Sequence, residues 1–172
     1  LKAHQQFEQA INISPASVQS WLGLANLARQ REDLDESKEI LLAASQANPN
    51  CPEIQLALGK IFFNQNALTK ALSVLQAART SIEVIDGEQD ERLYADILQH
   101  LGNTQLLLGH KEDAHKTLEY AYGLFPTKIG LTQTYAKCLL EINLTEDARR
   151  LLSRLRDQVP NNASVHFLSL IH

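Results

Sequence analysis

His110 and His115 stand five residues apart, with His100 shortly before them. Imidazoles suit zinc, but two helical ligands must stand three or four apart to reach one ion from one face. That spacing is missing, and neither Cys51 nor Cys138 has a CxxC partner, so no metal site is expected. The acid pairs Glu112-Asp113 and Glu146-Asp147 have the chemistry of a general acid and base. They fall instead at the starts of helical segments, where negative charge complements the helix dipole. General acid–base work also needs a closed, dry cleft. Arg149, Arg150, Arg154 and Arg156 form a basic cluster, yet Glu146 and Asp147 stand beside it and no stacking aromatics are interleaved. Binding of nucleic acid is therefore not expected. No Gly-rich phosphate loop, GxSxG or HExxH occurs. No catalytic residue is assigned, no cofactor is expected, and the chain is not expected to be an enzyme.

Composition points the same way. The net charge of −4 is too small to call for nucleic acid or an anionic membrane. No apolar run approaches the ~20 residues that a membrane span requires, so no direct membrane insertion is expected. Hydrophobic residues make up 44% of the chain but aromatic residues 6%, which suits helices packed through Ala and Leu. Cys51, in a Pro-flanked turn, and Cys138, in a helix, are expected to lie beyond the ~7 Å limit for a disulfide. Two isolated thiols are compatible with a reducing compartment and a cytoplasmic location. The chain begins with Leu inside a repeat and contains no Met, so it reads as a piece of a longer protein, and its compartment and oligomeric state stay open.

The elements that must position any functional residue recur with a 34-residue beat. Pro15 and Pro49 keep that spacing, as do Pro126 and Pro160. So do Phe7, Leu41 and Leu75, and so do Ala10, Ala44 and Ala78. Ala114, Leu118 and Ala121 reappear as Ala148, Leu152 and Leu155. A fixed period of this length marks one supersecondary unit copied and stacked. Full copies are expected at 18–51, 52–85, 95–128 and 129–162. Residues 1–17 supply a partial repeat, 86–94 an insertion, and 163–172 the start of a further repeat.

Each copy predicts two antiparallel helices. In the first, Trp21, Leu24, Ala25 and Ala28 give one apolar face, and Arg31-Glu32-Asp33 makes the turn. Leu34, Ser37, Leu41 and Ala44 form the second helix, which Asn48-Pro49-Asn50 stops. Ala25, Gly59, Gly102 and Ala136 share one first-helix position, and Ser37, Ala71, Ala114 and Ala148 share one second-helix position. Small side chains at both places let the paired helices approach closely. At the insertion, the helix before it is expected to run through Ile82 and Ile85 and to close at Gly87. The next helix is expected to begin near Glu91 with Asp90 as its cap. The acidic run there is read as a solvated loop.

These residues resemble the tetratricopeptide repeat family. The likeness rests on Trp21-x-x-Leu24-Ala25-x-x-Ala28, then Ser37-x-x-x-Leu41, Ala44 and Pro49, with the parallel sets in the other copies. Gln55, Leu98 and Thr132 stand where Trp is usual, and Gln105 where an aromatic is usual. The resemblance implies an all-α fold: a right-handed superhelical array of antiparallel helix pairs. It implies a concave groove lined by first helices and a protein or peptide partner held there. Carried over position by position, the groove residues are Leu22, Asn26 and Arg29, then Leu56, Lys60 and Phe63, then Gln99, Asn103 and Leu106, then Gln133, Lys137 and Leu140. Amide and ammonium groups can bind peptide backbone or carboxylate, and the apolar row can hold side chains. The carboxylate clamp of chaperone-binding members is not matched, because Leu22, Ala57, Asp96 and His100 stand at its positions and only Asn26 fits. The expected function is a protein-interaction scaffold. The alternative is a regulatory or positioning segment of a larger enzyme or of a bacterial secretion or polysaccharide-export machine.

Overall fold

The computed structural model describes residues 2–85 and 90–158. The described residues form helices and turns without a strand: α1 Lys2–Ile13, α2 Val18–Gln30, α3 Leu34–Ala47, α4 Pro52–Asn64, α5 Leu68–Glu83, α6 Glu91–Leu107, α7 Lys111–Leu124, α8 Ile129–Glu141 and α9 Thr145–Gln158. The chain divides into two compact units, residues 1–89 and 90–172. In the first, α2 pairs with α3 and α4 with α5, α1 packs on α2, and α4 also packs on α3 and α2. In the second, α6 pairs with α7 and α8 with α9, while α8 also packs on α6 and α7.

The close approach within each pair follows from the small residues. A Cβ at Gly59 would lie 2.6 Å from Leu75, and one at Gly102 would lie 2.5 Å from Leu118. Ala71, Leu75 and Ala78 are fully buried, as are Ala114, Leu118 and Ala121. In the first hairpin Ser37 fills the equivalent place, and its hydroxyl donates to the Ala25 carbonyl at 2.9 Å. A polar group is thereby buried with its hydrogen bond made.

One backbone device closes all four first helices. Glu32, Asn66, Gly109 and Asn143 each adopt a left-handed conformation, with φ of 62°, 57°, 79° and 64°. The residue after each donates its amide five residues back: Asp33 to Ala28 at 3.1 Å, Ala67 to Phe62 at 2.8 Å, His110 to Gln105 at 2.9 Å and Leu144 to Leu139 at 2.8 Å. The left-handed residue itself donates three back, so the last carbonyls of the helix are satisfied and the chain reverses at once. Within each unit these turns recur 34 residues apart, at 32 and 66 and at 109 and 143, so the repeat is written in backbone conformation as well as in side chains.

At the insertion, α6 begins at Glu91, and the Asp90 carboxylate accepts from the Arg92 and Leu93 amides at 2.9 and 3.0 Å. The preceding helix is shorter than expected. Ile82 is buried in α5, but the helix ends at Glu83, and Ile85 lies beyond it, 46% exposed. The Ile85 amide donates to the Ile82 carbonyl, three residues back rather than four, so the helical ladder has already tightened and stopped. Gly87 lies outside the described residues, as do Pro160 and 163–172.

Candidate functional site

The first helices are enclosed on most sides. In α4, Ile54, Leu56, Leu58, Gly59 and Ile61 are buried, and in α8 so are Leu131, Thr132, Thr134, Tyr135, Ala136, Cys138 and Leu139. Along each runs one lengthwise stripe of accessible residues. On α2 it runs through Gln19, Leu22, Asn26, Arg29 and Gln30. On α4 it runs through Glu53, Ala57, Lys60, Phe63 and Asn64. On α6 it takes Arg92, Asp96, Gln99, Asn103, Leu106 and Leu107, and on α8 Gly130, Gln133, Lys137, Leu140 and Glu141. Steps of three and four keep such residues on one helical face.

Within that frame the expected residues differ. Asn26, Arg29 and Lys137 are exposed; Leu22, Lys60, Phe63, Gln99, Asn103, Leu106, Gln133 and Leu140 are half-buried. The Arg29 guanidinium donates to the Asn26 side-chain oxygen at 2.7 Å, a bond that does not use the Asn26 amide N–H groups. The Gln99 amide lies against the Gly130 backbone, at 3.1 Å from where a Cβ would stand. Leu56 departs from expectation. It is 6% exposed, so it belongs to the core of the first unit and not to a surface. Leu22 packs partly on the adjacent buried cluster of Ala25, Leu41, Leu58 and Ile61. The first unit brings Asn26 and Arg29 on α2 beside α4, which carries Lys60 and Phe63. The second brings α6, with Gln99, Asn103 and Leu106, beside α8, with Gln133, Lys137 and Leu140. Glu53, Asp96 and Glu141 are members of the stripes that carry-over by family position did not name.

The residues first weighed for chemistry are spread out. His115 is half-buried, its ring stacked on Tyr135 at 5.8 Å, and the His100 Nδ1 meets the Asp96 carbonyl at 2.8 Å. Among the described residues no group of His, Cys, Asp and Glu could hold a metal ion. Cys51 and Cys138 are both free thiols. Burial, and then the hydrogen bond to Glu53, pushes the Cys51 thiol up to about 11. Burial first, with Glu141 adding to it, also raises Cys138. Both are therefore neutral, unreactive thiols at ordinary pH. Arg149 and Arg150 lie 3.8 Å from Glu146 and Asp147, so the basic cluster on α9 is paired in part with its own helix. Among the described residues no helix is long and apolar enough to cross a membrane.

Comparison with known proteins bears on the fold. No curated protein sequence matches the chain. The solved structure of YrrB, described as a TPR protein with an unusual peptide-binding site, superposes with a TM-score of 0.73 at 15% identity, covering 95% of this chain and 79% of that one. PilF of Pseudomonas aeruginosa gives 0.78 at 16% identity over 94% of this chain and 70% of that one. Yeast Tom70 gives 0.75 at 22% identity, over 90% of this chain and 32% of the longer one. The tetratricopeptide repeat family model matches residues 2–61 and 106–170. These matches join the 34-residue beat, the small-residue helix contacts and the four identical turns, and the chain belongs to the tetratricopeptide repeat family.

Proposed function

We propose that the chain is a protein-interaction scaffold, and that the accessible stripes of its first helices hold a peptide or helix of a partner protein. The observation that carries this reading is the pairing along three of the four stripes of a polar residue with an apolar one three residues on: Lys60 with Phe63, Asn103 with Leu106, Lys137 with Leu140. Amide and ammonium donors suit the carbonyls and acidic groups of a bound segment, and the neighbouring apolar side chains suit its side chains. The peptide-binding site named for YrrB supports the same use of the fold. Family and fold are those of non-catalytic scaffolds, and no residue is assigned a chemical step.

The test begins with peptides selected from a random library on the immobilised chain. Their affinity is then titrated by calorimetry against Asn103→Ala with Lys137→Ala in the second unit. Losing two polar contacts, one of them charge-assisted, should weaken binding at least about tenfold. The helical circular-dichroism signal should stay unchanged, because Lys137 is exposed and Asn103 half-buried. The control is Lys116→Ala on the exposed side of α7. If the control weakens binding and the double variant does not, the partner does not use the first helices.

A further inference from the structure

A cleft of about 400 Å³ opens in the second unit between α7, α8 and α9. It lies between the second helices α7 and α9 and the Tyr135–Leu139 face of α8, and none of its lining residues belongs to the stripes on α6 and α8. Its floor is Tyr135, with Leu139 and Leu151 beside it. Tyr135 is the odd member of its position: the other copies have Leu24, Leu58 and Leu101 there. A leucine would fill the core without a polar atom. Tyr135 is 8% exposed, and it lines the cleft. His115 stacks on its ring at 19° between planes, and the His115 Nδ1 is buried without a partner.

The rim is charged with both signs. Glu119 stands on α7, and Asp147, Arg150 and Arg154 on α9. Glu119 and Arg154 form no ion pair among the described residues, and Arg150 reaches Asp147 loosely, at 3.8 Å. Burial first, then the charge of Glu119, pushes the Tyr135 phenol up to about 12, with Asp147 adding to it. The phenol is thus a lasting donor, and both carboxylates stand near it. A volume of this order fits a small ligand or one to three side chains.

We propose that this cleft binds a guest with an apolar body flanked by one cation and one anion, the cation entering beside Glu119 and Asp147 and the anion meeting Arg154. A singly charged guest would satisfy one side of the rim and leave the other unpaired. Arg150, freed from Asp147 by the incoming cation, joins Arg154 on the anion. A peptide segment in which an apolar residue stands between a basic and an acidic one offers this chemistry; a free amino acid carries both charges on one carbon and does not. This face is not the one proposed for the scaffold function, so failure of either reading leaves the other intact.

The test titrates the full chain, by amide NMR shifts, with free L-phenylalanine and with a capped Lys-Phe-Glu tripeptide. Capped Lys-Phe-Lys and Glu-Phe-Glu are the like-charged controls. The expected result is a saturable shift at α7–α9 amides, with a millimolar or tighter Kd for the Lys-Phe-Glu tripeptide and weaker binding of free L-phenylalanine. The like-charged probes should bind about tenfold more weakly. Glu119→Gln and Arg154→Gln should each weaken binding about three- to tenfold. Tyr135→Leu, which installs the residue of the other copies, should abolish binding without lowering the thermal midpoint, and Tyr135→Phe should weaken it. No saturable shift with any probe, equal binding of the like-charged probes, or undiminished affinity in folded Tyr135→Phe would overturn the proposal.

Discussion

The hairpin α2–α3 and the hairpin α6–α7 turn on the same backbone conformation and reach it with opposite local choices. The first places Glu32 at the left-handed position of its turn, where a side chain is disfavoured, and the third places Gly109 there, where it costs little. The first caps its second helix with Asp33, whose carboxylate accepts from the Glu36 amide at 2.9 Å. The third has His110 at the same place with no side-chain cap. The first packs Ala25 against its second helix, and the third packs Gly102 against Leu118. Identical turns from such different residues mean that tertiary packing sets the conformation and local preference only adjusts its cost. The buried residues of the hairpin contact, Ser37, Leu41 and Ala44 on α3 and Ala114, Leu118 and Ala121 on α7, are the common factor.

The largest expected effect attacks that common factor. Ala114 is fully buried where α6 and α7 meet. Ala114→Leu should overfill the contact and cost about 1–3 kcal/mol. The urea midpoint should fall at an unchanged slope; an unchanged midpoint would mean that the close approach does not hold the hairpin. A smaller loss is expected at the opposite wall. In Gly102→Ala, the helix preference for Ala gains roughly 1 kcal/mol, but the new Cβ would stand 2.5 Å from the branch carbon of Leu118. That atom is not the free end of a side chain, so the helices must separate. A net loss of about 1 kcal/mol is expected, whereas a gain in stability would show that the gap between α6 and α7 is slack.

The difference in caps gives a pair of changes of opposite sign. Asp33→Ala should cost about 1 kcal/mol, and His110→Asp should add about the same, since Asp at an N-cap satisfies an orphan amide and complements the helix dipole. Hydrogen exchange of the first-turn amides of α3 and α7 reads each effect locally. Equal protection in His110→Asp and the parent chain would mean that the cap geometry of α7 does not admit the bond.

How much of this was legible in the sequence depended on whether a residue's role is local. The turns were visible because Arg31-Glu32-Asp33 interrupts an apolar face, and the N-cap at Asp90 because an acid precedes a helical run. Leu56 was not legible as core. Its position follows from Leu22 by the repeat, yet in the folded unit Leu56 is buried and Leu22 only half-buried. The cleft at Tyr135 could have been found, because a Tyr in a column of Leu24, Leu58 and Leu101 is a signal in the sequence itself. What the column could not show is which charges face that tyrosine, since Glu119 and Arg154 come from different helices and from different steps of the repeat.

The smallest effect tests the turn itself. Glu32 sits at φ 62°, where a residue with a side chain pays roughly 1–2 kcal/mol that glycine avoids. Glu32→Gly also frees the unfolded chain, which takes back about 0.4–1 kcal/mol. The net gain should be about 0.5 kcal/mol. Loss of the Glu32 side chain should add little, because it is exposed. The bonds that define the turn, Glu32 to Arg29 at 2.9 Å and Asp33 to Ala28 at 3.1 Å, use backbone atoms and survive the change. Gly109→Ala is the mirror experiment and should lose about 1 kcal/mol, because the methyl has open space around it and only the backbone conformation resists. A rise of the urea midpoint in the first variant with a fall in the second would show that the two hairpins differ in local cost alone. If Glu32→Gly lowered stability, the left-handed residue would be held by something beyond its backbone, and the likeness between the two turns would be one of shape without a shared cause.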